Sequence, residues 1–208
     1  MRDPQFYVDY WNQLFPDARC ELNYRNHYEL LIAVILSAQT TDKKVNAVTE
    51  VLFQKYPDFN SLKDALFADV ESIIHPLGLS KSKTSNIINT AKIIDLKYHG
   101  IIPEEKKELK TLPGVGEKVA AVYLGDACLL PEFPVDTHVF RIAKRLELAK
   151  SNDPEKVSEE LKQLFAGYDY MKLHHQIIFF GRYFCQAKTP NCKNCLIQCS
   201  FSKEKKQK

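Results

Sequence analysis

The chain has 208 residues, 45% of them hydrophobic and 26% charged. That is enough apolar material to bury roughly 70% of the unfolded surface and too much for a disordered chain. Its longest apolar run, Leu30 to Leu36, is far shorter than the roughly 20 residues of a membrane helix, and Met1-Arg2-Asp3-Pro4 lacks the basic-then-apolar order of a secretory signal. The formal charge of +3 hides a basic C-terminal end, with 14 basic against 9 acidic residues over 131–208, and permits a nucleic-acid partner without demanding one.

Those features predict a cytoplasmic protein with no membrane span. Apolar residues recur at helical spacing, with no sustained strand-like alternation, so the fold expected is all-α. In chain order, Leu30 to Leu36 is apolar on every side and predicts a helix buried at the centre of its surroundings. Leu36 to Asp42 reads as a helix end followed by a cap. Val45, Val48 and Leu52 then mark one helix face, and Ile87, Ala91 and Ile94 another. Between them, Gly78-Leu79-Ser80-Lys81-Ser82-Lys83 reads as an exposed glycine turn carrying two lysines. Val157, Leu161 and Leu164 continue the pattern, and the tail Lys203 to Lys208 reads as a frayed, solvated end. Cys20 and Cys128 stand alone and are expected as small buried hydrophobes.

Three motifs carry possible chemistry. The first is Leu112-Pro113-Gly114-Val115-Gly116-Glu117-Lys118, between segments expected to be helical over 106–111 and 119–130. Gly114 and Gly116 flank Val115 and let the backbone turn tightly and approach another surface. The helix that follows starts with free N–H groups, an anion site that fits a DNA phosphate without adding net charge. The alternative is a plain tight turn between packed helices. The second motif is the pair Lys118 and Asp136. A lysine nucleophile reacts as the free amine, and the first turn of a helix favours that form. Asp136 follows Pro134 where a helix should begin, so its carboxylate can cap that helix or face a developing cation. The third is Cys185, Cys192, Cys195 and Cys199. Four clustered thiols in a chain without a secretory signal read as a structural metal site, either an iron–sulfur cluster or a tetrahedral zinc.

Taken together, the hairpin with Lys118, the segment Val135-Asp136-Thr137-His138, the four cysteines and Leu30 to Thr41 resemble the endonuclease III family. The likeness runs from about residue 21 to Cys199. It implies two helical modules, residues 21–130 forming a six-helix module with the helix-hairpin-helix, and residues 1–20 joining 131–208 around a [4Fe–4S] cluster, with a DNA cleft between them. It further implies a monomeric bifunctional DNA glycosylase and AP lyase of base excision repair, acting on double-stranded DNA with a damaged base or abasic site, nucleoid-associated if bacterial. Lys118 would be the nucleophile and Asp136 its catalytic partner. Gln39 and Leu79 match positions that enter the duplex where the damaged nucleotide has left, Gly114, Val115 and Gly116 form the DNA-binding hairpin, and Lys188 and Lys193 supply phosphate contacts. Two alternatives stand beside this reading, a monofunctional mismatch glycosylase, which Lys118 disfavours, and a non-catalytic helix-hairpin-helix DNA-binding protein. The chain departs from the family in having three residues rather than five between Cys195 and Cys199, which keeps zinc as the minority choice of metal.

Overall fold

The helical spacing of the apolar residues is realised in the computed structural model, which describes residues 2–202. The described residues form α1 (Pro4–Leu14), α2 (His27–Leu36), α3 (Asp42–Lys55), α4 (Phe59–Lys63), α5 (Phe67–Ile74), α6 (Ser80–Tyr98), α7 (Lys106–Leu109), α8 (Glu117–Cys128), α9 (Thr137–Arg145), α10 (Pro154–Leu164) and α11 (Tyr170–Phe179). Short 3₁₀ and π turns join some of them, and no strand occurs among the described residues. No helix among these residues is long and apolar enough to cross a membrane. The expectation for Lys203 to Lys208 lies outside the described residues.

The chain divides into two compact units, Glu21–Leu130 and Met1–Cys20 with Pro131–Lys208. In the first, α2 is the axis. Every residue from Tyr28 to Leu36 is buried, as an all-round apolar helix must be. Each Leu or Ile so enclosed contributes about 1.5–3 kcal/mol over an exposed one. Val45 and Leu52 of α3, Ile87, Ala91 and Ile94 of α6, and Ala120 to Leu124 of α8 are buried around the same core. The core of the second unit is aromatic. Trp11 of α1 packs against Phe165 and Phe180, and Phe133 stacks on Phe165.

Three expectations need correction. Lys83 is 3% exposed rather than displayed on a surface turn, because it lies one turn into α6, on the face that carries Ile87 into the core. Cys20 and Cys128 are half-buried; Cys128 closes α8 at the rim of its unit, where the chain leaves the core. The helix before the hairpin is the single turn α7, ending at Leu109 because Pro113 and Gly114 follow closely.

Candidate nucleic-acid interface and catalytic residues

The two glycines of the hairpin have different jobs. Gly114 lies at φ +79°, and a Cβ there would come within 2.9 Å of Asn86 Nδ2 and 3.0 Å of Ile35 Cγ2; the fold itself requires glycine. Gly116 lies at φ −93°, and a Cβ on it would meet nothing within 4 Å. Its smallness serves nothing inside the chain and leaves the surface open to close approach. Leu109, Leu112 and Val115 are buried beneath the turn, and the Val115 N–H donates to Leu112 O at 3.1 Å, so Val115 anchors the hairpin from inside. Thr90 of α6 donates to Pro113 O at 2.9 Å.

Gly116 is the N-cap of α8, and no side chain caps that helix. Glu117, its first residue, pairs with Lys106 at 3.0 Å and Lys110 at 2.8 Å, tying α8 to α7. Burial pushes the Glu117 carboxyl upward, but those two ammonium groups outweigh it and hold the group below its ordinary range. Lys118 comes next, half-buried in the first turn of α8.

Gln39 and Leu79 share an uncommon feature. Both are exposed non-glycine residues in the left-handed region, at φ +57° and +51°. Such a conformation costs a residue with a Cβ roughly 1–2 kcal/mol. Leu79 is also 59% exposed, so the backbone holds an apolar side chain out in solvent. Each residue lies just before or at the start of a helix that no side chain caps, α3 for Gln39 and α6 for Leu79. Behind Leu79, the buried Lys83 ammonium donates to Leu77 O at 3.3 Å, and desolvation lowers its pKa from the ordinary lysine value.

In the other unit, Asp136 is the N-cap of α9, and its Oδ1 accepts from the Val139 N–H at 2.7 Å. One carboxylate oxygen thereby fixes the side chain. On the same helix, Arg141 donates to Gly181 O at 2.8 Å, and Arg145 donates to Gln186 O and Ala187 O, both at 2.8 Å. The two arginines hold the segment that enters the cysteine cluster.

Cys185, Cys192, Cys195 and Cys199 line one small cavity, together with Leu146, Phe180, Phe184 and Phe201. Arg145 Nη1 lies 3.5 Å from Cys185 Sγ. Burial pushes the Cys185 and Cys195 thiols up; Arg145 opposes this at Cys185, and the amides of Ile197 and Gln198 oppose it at Cys195. An apolar cavity that disfavours bare thiolates, yet aims donors at their sulfurs, fits a bound cationic centre that takes them as thiolates. Among the described residues, no three His, Cys, Asp or Glu side chains are arranged to bind one metal ion. Gln198, in the shortened loop, is left-handed at φ +51°. Lys188 and Lys193 are exposed beside these cysteines.

Sequence reasoning missed the roles of Arg141 and Arg145, although their i,i+4 spacing on a helix ahead of four cysteines was a usable signal. It also missed Tyr10, whose hydroxyl donates to Asn194 O at 3.4 Å next to Cys195, and His174, whose ring Nδ1 bonds Pro134 O at 2.8 Å. Both act across long sequence separations that no local pattern reveals.

Residues 32–166 match the family described as HhH-GPD superfamily base excision DNA repair protein. The fold and the hairpin thus define a helix-hairpin-helix repair protein. The chain is 42% identical over 183 residues to the endonuclease III of Rickettsia felis, covering 88% of this chain and 86% of that one. It also matches a solved non-covalent endonuclease III–DNA complex at 39% identity and TM-score 0.95, covering all of both chains. A trapped endonuclease III–DNA covalent intermediate, an estranged-adenine complex, matches at 39% identity and TM-score 0.93, covering 99% of this chain and 100% of that one. The chain belongs to the endonuclease III family.

Proposed function

We propose that this chain is a bifunctional DNA glycosylase and AP lyase of base excision repair, acting on double-stranded DNA that carries an oxidised pyrimidine or an abasic site. Lys118 is the nucleophile. Its free amine attacks C1′ of the flipped nucleotide as the bond from C1′ to the base breaks and the base departs with its bonding electrons. The nitrogen then gives up a proton, the C1′–O4′ bond opens with O4′ taking a proton, and the amine and C1′ are left joined as a Schiff base. Loss of the C2′ proton then expels the 3′ phosphate by β-elimination and nicks the strand. Asp136, with one oxygen committed to its helix cap, uses the carboxylate charge to stabilise the cation forming on the sugar and to accept the lysine's proton.

The observation that carries this reading is the placing of Lys118 in the first turn of an uncapped helix, two residues after a glycine whose Cβ position is open. The amides of that turn grip a phosphate while the lysine beside them reaches the sugar. Gln39 and Leu79 fill the gap left by the extruded nucleotide, which explains why strained backbone keeps them exposed. Lys188 and Lys193 add phosphate contacts. The four cysteines hold a [4Fe–4S] cluster, which when bound crosslinks the C-terminal segment and does no chemistry on DNA. The protein works as a monomer in the cytoplasm, at the nucleoid if the cell is bacterial.

Borohydride trapping on an abasic duplex tests the assignment. The native protein should yield a covalent adduct, and Lys118→Gln should yield none. Base removal without any adduct would favour a monofunctional glycosylase, and binding without either reaction a DNA-binding module.

A further inference from the structure

The segment that delivers Asp136 has no secondary structure of its own. Residues 129–136 form no helical ladder, so their position must come from tertiary bonds. Pro134 in addition has no N–H, which leaves its carbonyl as the only backbone group by which that residue can be held. Two consecutive carbonyls of this segment are held from other helices. Ser158 of α10 donates its hydroxyl to Phe133 O at 2.7 Å. The ring Nδ1–H of His174 in α11 donates to Pro134 O at 2.8 Å. One residue earlier, Glu132 pairs with Lys162 of α10 at 3.1 Å. His174 is 1% exposed, and the acceptor is a carbonyl, so the hydrogen bond requires the proton on Nδ1.

We propose that His174 is a positioning residue for the Asp136 carboxylate, with Ser158 as the second arm of the same clamp. This rests on the reading of Asp136 as the catalytic partner. The cap to Val139 fixes the carboxylate relative to α9. The clamp fixes the strand of backbone that enters the cap, and so sets the direction from which the uncommitted oxygen faces the sugar. Catalytic groups displaced by about 1 Å lose on the order of 100-fold in rate. The clamp residues touch neither DNA nor the reacting atoms, so their loss should fall on the chemical step and spare binding.

The test compares His174→Leu, His174→Asn, Ser158→Ala and Asp136→Asn in the full chain. Single-turnover cleavage of a saturating abasic duplex, equilibrium affinity for the same duplex, and thermal unfolding are measured for each. Asparagine places an N–H where Nδ1 stands, so His174→Asn should react within about threefold of the native rate. His174→Leu should be about 10-fold to 100-fold slower, with affinity within about twofold. Ser158→Ala should show a smaller loss of the same kind, and it decides the matter if His174→Leu does not fold. Equal rates for the leucine and asparagine variants, or rate and affinity falling by one common factor, would overturn the proposal. If Asp136→Asn is slow while His174→Leu and Ser158→Ala are fast, only the clamp fails; if Asp136→Asn keeps the native rate, the role of Asp136 fails and the clamp with it.

Discussion

The two units differ in how often they cap their helices. In the unit formed by Met1–Cys20 and Pro131–Lys208, α1, α9, α10 and α11 each begin under an aspartate whose side chain accepts from the first turn, Asp3, Asp136, Asp153 and Asp169 respectively. In Glu21–Leu130, α2 and α4 are capped by Asn26 and Asp58, whereas α3, α5, α6, α7 and α8 begin with no side-chain cap, and the starts of α3, α6 and α8 are preceded or formed by a left-handed residue, Gln39, Leu79 and Gly114 in turn. A cap is worth about 1 kcal/mol. Among the described residues, one unit therefore takes this stability at each of its four α-helix starts, while the other forgoes it at five of seven and adds backbone strain at two of those five. Three of the open starts, those of α3, α6 and α8, lie beside residues that the family resemblance assigns to DNA, where a phosphate can supply the missing partner. Open starts thus gather in Glu21–Leu130 and aspartate caps in the other unit, where Asp136 caps α9 through one carboxylate oxygen and leaves the second uncommitted to the cap.

Substitutions can break this contrast. The largest effect should come from Asp136→Asn. Asparagine caps as well as aspartate, so Tm should move by less than about 2 °C, while the single-turnover rate falls on the order of 100-fold to 1,000-fold through loss of the charge. A matched loss of stability would reduce Asp136 to an ordinary cap. Next is the glycine pair. Gly114→Ala meets both a left-handed φ and contacts near 3 Å, and should cost about 2–3 kcal/mol, or roughly 5–10 °C in Tm. Gly116→Ala should leave Tm within about 1 °C yet weaken binding to damaged and intact duplex alike, since phosphate contacts position without reading sequence. Unchanged affinity would show that Gly116 only ends a turn.

Leu79→Gly sharpens the argument about strain. It removes the side chain and accommodates the left-handed backbone, so Tm should not fall while affinity for an abasic duplex drops roughly tenfold; calorimetry and titration on one preparation check both halves. The smallest effect belongs to Lys83→Met. Replacing a buried ammonium with an apolar chain of similar length is expected to leave stability unchanged or raise it by about 1 kcal/mol. Because burial lowers the folded-state pKa of Lys83, the unfolded chain holds that proton more tightly. The native protein should therefore gain stability as pH rises through the lowered value toward the ordinary lysine value, and lose it as pH falls back. The methionine variant should lack that part of the pH dependence in chemical denaturation.

Much of this was legible along the chain because it is local. Leu30 to Leu36 announced a buried helix by being apolar on all sides, Asp136 announced a cap by following Pro134, and the cysteine spacing announced a shared cavity. The features that were not legible depend on what other helices bring. Lys83 reads as a surface lysine until α6 turns it inward, and Leu79 gives no sign by residue type of a left-handed backbone. His174 and Ser158 lie 40 and 25 residues from the carbonyls they hold. Side chains that position others leave little trace in a single sequence, whereas side chains that cap, turn or cluster leave a spacing.

The most direct measurement of the central claim is the site of attachment. After borohydride reduction of the protein with an abasic duplex, digestion and mass spectrometry should find the deoxyribose remnant on Lys118. A remnant on another lysine or on the terminal amine, with Lys118 unmodified, would contradict the account.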